Sequence, residues 1–325
     1  MLVTARRIVA TSALVAVASP SIAAAQVLTR VDIDNDSFNF WQPPAVRADR
    51  EYSQGVRVNL LWPTSGGLAR RLLGGPQLCA GETAVRDCRR MSVAATQAIY
   101  TPDLVLRRRQ PFERPFAGWL GMEFGVQRDR VASLRAWSVT LGVTGGPSLG
   151  EAAQKGVHRL LGFPRPDGWD AQLPTELAFA LRYDGAHTLL RFEQPSTGLR
   201  LIMAPTWSAR LGTLATDASV GVGITTGLRP PVPWASGARD RGDRWGVFGR
   251  AAATQSAVAR NIFLDGTTFS RSARVSRNVL VGDVELGLGL RSPLGIIEWR
   301  MHGRGREYRQ QPRPHAYSTF SFSVR

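Results

Sequence analysis

The sequence predicts an all-β protein: a twelve-stranded antiparallel transmembrane β-barrel with a short helical insert in an extracellular loop. Segments of about ten residues alternate between apolar and small or polar side chains, as the strands of outer-membrane barrels do. A secretory signal peptide precedes them, in which Arg6 and Arg7 stand before an apolar run and small residues stand at Ala23–Ala25. No later apolar run approaches the length of a transmembrane helix.

The alternation is clear in the segment where Leu120, Met122, Phe124 and Val126 share one face. The second face of such segments is rich in glycine and serine, as in a crowded barrel lumen, whereas a soluble sandwich would present Lys, Glu and Thr there. A soluble lipocalin-like barrel is the alternative fold. We predict strands near residues 27–36, 52–62, 91–102, 115–126, 132–145, 174–190, 199–213, 217–228, 245–260, 276–290, 295–308 and 317–325.

The organisation that follows is a signal peptide over residues 1–25 and one outer-membrane barrel domain over residues 26–325. We expect the extracellular connections at residues 37–51, 103–114, 146–173, 191–198, 261–275 and 309–316. Cys79 and Cys88 fall at the other end, in a connection longer than the usual periplasmic turn. The sequence leaves open whether these two cysteines form a disulfide.

Positive charge dominates the composition, with 41 Lys and Arg against 25 Asp and Glu and a formal net charge of +16. Nearly all of the positive charge is arginine. Because the protein is exported, we expect no nucleic-acid partner. Guanidinium groups bind phosphate bidentately, so anionic lipid headgroups or sugar phosphates are the expected counterparts.

The helical insert is predicted over Leu149–Leu161. Ser148 and Glu151 have the spacing of a capping box, and a glycine and a proline follow the last turn. Gln154 and His158 then lie one turn apart on the same face. A lone histidine in a loop is more often structural, but an irregular element on a rigid scaffold is a common place for chemistry.

Six ordered motifs carry a family resemblance that spans nearly the whole chain after the signal peptide. They are Asn35–Phe38, Asp49–Gly55, Glu113–Trp119, Gly146–His158, Gly168–Leu173 and Asn261–Gly266. Together they resemble the outer-membrane lipid A 3-O-deacylase family. Glu113 stands where that family usually has Asp, and Phe116 where Tyr is frequent. The resemblance implies a twelve-stranded barrel that opens laterally toward the outer leaflet and hydrolyses the acyl or acyloxyacyl ester at the 3-position of lipid A.

The family's essential Asn, Asp, Ser or Thr, and His map onto Asn35, Asp36, Ser53 and His158. Ester hydrolysis needs a base whose pKa is near neutrality, so His158 would deprotonate a water molecule. Asp36 is suited to orient the imidazole and to stabilise the imidazolium. Asn35 offers an amide to the oxyanion. Ser53 is either a nucleophile or, as we favour, a hydrogen-bonding residue.

The resemblance also implies calcium dependence, with Asn35 and Asp36 as the candidate metal ligands. Their hard oxygen atoms suit Ca²⁺, which would polarise the ester carbonyl. Gln154 and an arginine cluster are the candidate substrate-binding residues. The cluster comprises Arg107, Arg108, Arg109 and Arg114, which we expect on the outer rim, where they could bind lipid A phosphates.

Two other functions fit a barrel of this kind. An outer-membrane phospholipase would share the ester chemistry, and a porin would need only a continuous polar lumen.

Trp119 and Trp169 are candidates for the aromatic belt at the membrane interface. We expect a monomer that acts on lipopolysaccharide in the bacterial outer membrane.

Overall fold

The computed structural model describes residues 27–39, 50–75, 87–102, 112–130, 132–164, 166–234 and 245–324, and most of these residues are in strands. The predicted signal peptide lies outside the described residues. The strands are β1 (Leu28–Asn35), β2 (Glu51–Pro63), β3 (Asp87–Thr101), β4 (Ala117–Arg130), β5 (Ser133–Thr144), β6 (Leu177–His187), β7 (Leu190–Gln194), β8 (Leu199–Leu211), β9 (Ala215–Leu228), β10 (Gly246–Asn261), β11 (Leu280–Ser292), β12 (Gly295–Arg304) and β13 (His315–Val324).

The sheet closes into a barrel because β1 pairs with β13 and every neighbouring pair is antiparallel. β6 pairs with residues 206–211 of β8, and β7 pairs with residues 199–203 of the same strand. β6 and β7 therefore share one position in the wall. The thirteen described strands make a closed barrel of twelve strand positions, which confirms the predicted fold class.

The apolar faces of the strands point outward, as the alternation predicts. Phe124, Leu141 and Leu288 have between 51% and 63% of their surface exposed, which is the arrangement expected of a lipid-facing wall. Inward-facing positions carry paired charges, for example Arg30 with both Asp32 and Glu298. The polar face of the sequence pattern is thus the lumenal lining.

The barrel has an upper end, where β1, β3, β5, β8, β10 and β12 finish, and a lower end, where those strands begin. The prediction that residues 191–198 form an extracellular connection is wrong. Residues up to Gln194 belong to β7, and the turn at residues 195–198 joins β7 to the start of β8 at the lower end. An expected loop was in fact the continuation of a strand.

Three α-helices accompany the strands in the described chain: α1 (Gly67–Leu73), α2 (Gly150–Leu161) and α3 (Ile262–Asp265). Short 3₁₀ turns occur at Asp36–Phe38, Gly146–Ser148 and Trp169–Ala171. Among the described residues, no helix combines the length and the apolar character needed to cross a membrane.

The predicted helical insert is confirmed as α2, but its predicted capping box is wrong. The residue before the helix is Leu149, in a left-handed conformation with φ 59°, and its side chain makes no cap hydrogen bond. The Ser148 Oγ accepts from the N–H of Gly150, at 3.4 Å, and not from that of Glu151, as a capping box requires. The Ser148 hydroxyl donates instead to the Gly145 carbonyl at 2.5 Å. The helix ends as predicted at Gly162, whose φ of 72° favours glycine.

An apolar cluster fills the upper part of the lumen. Phe263 of α3 stacks on Tyr100 with ring centroids 4.1 Å apart, and it meets the Trp119 ring edge-on. The Trp119 indole lies over Gly121 and Gly142, where any Cβ would come within 2.6 Å of the ring. Trp119 therefore points into the barrel, and the prediction that it belongs to the membrane-interface belt is wrong.

Cys88 is the second residue of β3, at the lower end of the barrel, and is disulfide-bonded. Cys79, the other cysteine of the chain, lies outside the described residues.

Candidate active site

Asn35 lies on the outer, lipid-facing surface of the barrel at its upper end. On β2, Val58 and Leu60 are exposed on the outer wall, and alternation places Gln54 on the same face. Asn35 is directly opposite Gln54 in the β1–β2 register. The end of β1 therefore presents Asn35 toward the membrane side of the wall rather than into the lumen.

Ser53 reaches the same surface through a β-bulge. The β2–β3 register shifts between Tyr52 and Gln54, so Ser53 is the extra residue of β2. A bulge of this kind turns two successive side chains to one side of the strand. The Ser53 Oγ lies 2.6 Å from the Thr101 Oγ1, and both hydroxyls are buried. This contact supports the hydrogen-bonding role predicted for Ser53.

A hydrogen bond to the Asp36 side chain links the end of β1 to the residue before β2. The Asn35 side-chain oxygen accepts from the Ser37 N–H at 2.7 Å and starts the 3₁₀ turn. The buried Asp36 carboxylate accepts from the Arg50 N–H at 3.0 Å through its Oδ2. Asn35, Asp36 and Ser53 are therefore brought to one corner of the barrel by local turn and bulge geometry.

The start of α2 rests on the outer wall beside this corner. Gly118 of β4 alternates with the inward-facing Trp119, and a Cβ added at Gly118 would lie 2.1 Å from the Ser148 Oγ and 3.1 Å from the Gly150 Cα. The Gln97 side-chain amide also donates to the Ser148 carbonyl at 3.0 Å. Only a glycine in β4 allows the helix to approach the wall this closely.

Gln154 holds α2 to the segment that follows it. Its side-chain oxygen accepts a 2.8 Å hydrogen bond from the indole N–H of Trp169, which is 1% exposed. Trp169 packs with Ile99 and Phe116. The prediction that Trp169 belongs to the membrane-interface belt is therefore wrong. The substrate-binding role of Gln154 stays a prediction.

His158 is buried on the face of α2 that also carries Gln154. Its Nδ1 lies 2.6 Å from the Pro164 carbonyl oxygen, and Phe163 meets the imidazole edge-on at 5.8 Å. A carbonyl oxygen can only accept, so Nδ1 carries the proton and Nε2 of the neutral ring is the basic atom. The Pro164 carbonyl therefore orients the ring through Nδ1, and the orienting role of Asp36 stays a prediction.

Arg114 is not an exposed rim residue, which corrects its predicted role in binding phosphate. Its side chain is 0% exposed, and its Nη1 lies 3.2 Å from the Glu51 Oε2 and 3.4 Å from the Glu307 Oε2. The Tyr308 hydroxyl donates to the Glu51 Oε1 at 2.8 Å. Burial raises the pKa of Glu307, but Arg114 and Arg304 more than offset this and hold it below its usual value.

The Arg114 cluster supports the backbone that carries the candidate site. Glu51 has a φ of 61°, in the left-handed region, and it is flanked by Arg50, which donates to Asp36. The His315 Nε2 lies 3.1 Å from the Tyr52 carbonyl on the same segment. Sequence reasoning missed these contacts because Glu51 and Tyr308 are 257 positions apart.

The donor chemistry of Asn35 and Asp36 suits a hard cation such as Ca²⁺. In the part of the chain that the structure describes, no group of three or more His, Cys, Asp or Glu residues could hold a metal ion. A calcium ion at Asn35 and Asp36 would therefore also need backbone carbonyl oxygens and water.

Three of the predicted substrate-binding residues, Arg107, Arg108 and Arg109, lie outside the described residues.

Comparison with known proteins gives the family. The model of the family described as "Outer membrane protein LpxR" matches residues 8–325. The chain belongs to this family. It is accordingly an outer-membrane β-barrel protein, and no curated protein matches its sequence.

Two solved structures give the measure of similarity. LpxR from Salmonella typhimurium is 16% identical, with a TM-score of 0.72 over 91% of this chain and 99% of that one. At this identity the match shows the fold. The β-domain of the Bordetella autotransporter BrkA is 8% identical, with a TM-score of 0.46 over 92% of this chain and 98% of that one.

Proposed function

We propose that the protein is an outer-membrane lipid A deacylase that hydrolyses the 3-position acyl or acyloxyacyl ester. Membership of the LpxR family supports this proposal. The observation that carries it is a buried histidine, fixed through Nδ1, on a helix whose start packs against the outer wall of the barrel. A base on that wall can meet an ester that arrives from within the membrane, without passage through the lumen.

The proposed reaction begins with a water molecule at the Nε2 of His158. The imidazole takes a proton from the water while the water oxygen bonds to the ester carbonyl carbon. The tetrahedral intermediate then breaks its bond to the sugar 3-oxygen, and the imidazolium returns the proton to that leaving oxygen. The products are a free fatty acid and a sugar hydroxyl, and His158 is neutral again.

Three further residues have supporting roles in this proposal. Asp36 carries a negative charge that stabilises the imidazolium formed in the first step. Asn35 and Asp36 would hold Ca²⁺, which, when bound, would stabilise the negative charge on the carbonyl oxygen. Ser53 bonds to Thr101 and fixes the corner of the wall beside the turn, rather than attacking the ester.

The porin alternative is disfavoured by the apolar cluster in the upper lumen. Ile262 and Phe263 of α3 pack there with Trp119 and Leu173, and all four are at least 93% buried. A conducting pore needs a continuous wet path. The outer-membrane phospholipase remains the second candidate, since it would use the same base on the same wall.

Mass spectrometry of lipids from cells with and without the protein tests the proposal. We expect lipid A to lose the mass of the 3-position acyl or acyloxyacyl group when the protein is present, with glycerophospholipids unchanged. Unchanged lipid A together with new lysophospholipid would overturn the proposal in favour of the phospholipase.

A further inference from the structure

Helix α1 lies on the outside of the barrel at the lower end, far from the candidate active site. It buries Ala69 and Leu73 against Val126 and Trp137. Val126 lies two residues after Phe124 in β4, so both side chains are on the outward face of that strand. The contact with α1 is therefore on the lipid-facing wall. The helix therefore packs on the outer surface of the barrel.

The wall beneath α1 changes from apolar to basic within two residues along each strand. Cross-strand pairing forms an outward apolar row of Met91, Val126 and Trp137, and nearer the lower end an outward basic row of Arg89, Arg128 and Arg135. Charged side chains on a lipid-facing barrel wall are tolerated at the interfaces and not in the hydrocarbon. The boundary of the hydrocarbon therefore passes between the two rows, at the level of α1.

Two arginines of the basic row fix the helix at this level. The Arg128 Nη1 donates to the Leu73 carbonyl at 2.9 Å, and the Arg89 Nη1 donates to the Gly75 carbonyl at 2.7 Å. The first bond satisfies the carbonyl of the last residue of α1, and the second holds the chain two residues beyond it, where a positive charge also suits the helix dipole. The helix is held by its backbone as well as by its apolar face.

The surface of α1 that faces away from the wall is amphipathic. Leu68 and Leu72 lie one turn apart and are 66% and 48% exposed. Helical spacing of 100° per residue places Arg70 on the opposite flank from these leucines and Arg71 on the outermost side, and both arginines are exposed. One flank thus offers apolar surface and the rest offers guanidinium groups.

We propose that α1 is an interfacial helix that binds the anionic phospholipid headgroups of the membrane leaflet at the lower end. Leu68 and Leu72 contact the part of the acyl chains nearest the headgroups, and Arg70 and Arg71 pair with headgroup phosphates. The exposed charge and the apolar flank are complementary to one side of a phospholipid leaflet. This assignment is independent of the reaction at the upper end.

Fluorescence quenching in reconstituted membranes tests the depth of α1. Bimane is attached to the full-length variant Leu72→Cys and quenched by nitroxide lipids labelled near the headgroup or deep in the acyl chain. We expect the shallow nitroxide to quench most. Matched controls are Leu141→Cys on the outer wall, which the deep nitroxide should quench, and Ser196→Cys in the lower turn, which neither should quench. Equal absence of quenching at Leu72→Cys and Ser196→Cys would overturn the proposal.

Lipid selectivity tests the role of the arginines with the same label. Shallow nitroxide is carried on phosphatidylglycerol or on phosphatidylcholine, and the two quenching efficiencies are compared. We expect phosphatidylglycerol to be preferred about five-fold for each arginine that contributes. The preference should disappear in Arg70→Gln/Arg71→Gln and persist in Arg271→Gln/Arg274→Gln, which removes the same charge from exposed positions elsewhere. No preference in the native chain would contradict headgroup binding.

Discussion

Helices α1 and α2 both pack on the outer wall of the barrel, at opposite ends, and they bury different chemistry there. α1 buries only Ala69 and Leu73, whereas α2 buries Gln154 and His158. Burying a polar side chain is unfavourable unless it is hydrogen-bonded, and both polar groups of α2 have dedicated partners. α1 is held by apolar contact and by arginines that bind its backbone, whereas α2 buries polar side chains of its own, and one of these, His158, is the base of the proposed reaction.

Removal of calcium should affect the two helices differently, and it is the change with the largest expected effect. Chelation should abolish ester hydrolysis, with added Ca²⁺ restoring it, because the proposed site uses Asn35 and Asp36 as hard ligands. The lipid preference of α1 should not change, since it depends on arginine and not on a cation. The measurement is fatty acid released from lipid A in detergent. Full hydrolysis in excess chelator would exclude the calcium role.

The variant Asp36→Ala tests whether Asp36 supports His158 in the reaction. We expect turnover to fall by about two orders of magnitude, as is typical when a group that supports a general base is lost. The double variant Asp36→Ala/His158→Ala should be little worse than either single change if the two act as a unit. Heat-modifiable gel migration checks that each variant is a folded barrel. Fully multiplicative losses would show that the residues act independently.

Ser53→Ala should have a smaller effect. Loss of the bond to Thr101 leaves the base in place, so we expect measurable residual hydrolysis, reduced about ten-fold, the loss expected for one hydrogen bond of about 1.4 kcal/mol. Thr101→Ala is the matched change on the other side of the bond and should behave alike. A nucleophilic serine predicts the opposite pattern: no detectable hydrolysis in Ser53→Ala and a trappable acyl-enzyme in the native protein.

Arg114→Met separates a structural role from a phosphate-binding one. The variant leaves Glu51 buried without its ion-pair partner and leaves Glu307 paired with Arg304 alone, and breaking a buried pair of this kind costs about 3–5 kcal/mol. We expect a lower urea midpoint for the loss of the folded gel band. A rise in KM for lipid A at unchanged stability would instead restore the phosphate-binding prediction.

The fold was predictable because its signals are local. Period-two alternation showed the wall, and the glycine after α2 showed where that helix ends. The same alternation also contained the correct orientation of Trp119, since Leu120 and Met122 face outward and their neighbour must face inward. That signal was overlooked in favour of the general preference of tryptophan for membrane interfaces.

The candidate site was predictable only in part, because much of it is made by contacts that are distant along the chain. Asn35, Asp36 and Ser53 converge as predicted, on the upper corner of the wall. The bulge that turns Ser53 to the outer face of β2 and the pairing of Arg114 with Glu307 depend on register and tertiary packing. No local pattern distinguishes a buried, paired arginine from one that solvates a loop.

The most direct test of the central claim is the mass of lipid A from cells that produce His158→Ala. The variant removes the proposed base and leaves the barrel wall intact, so lipid A should keep its 3-position acyl group, as in cells without the protein. Lys155→Ala, on the same helix, and Arg71→Gln, on α1, should release that group as the native protein does. Near-normal deacylation by a correctly folded His158→Ala barrel would contradict the mechanism.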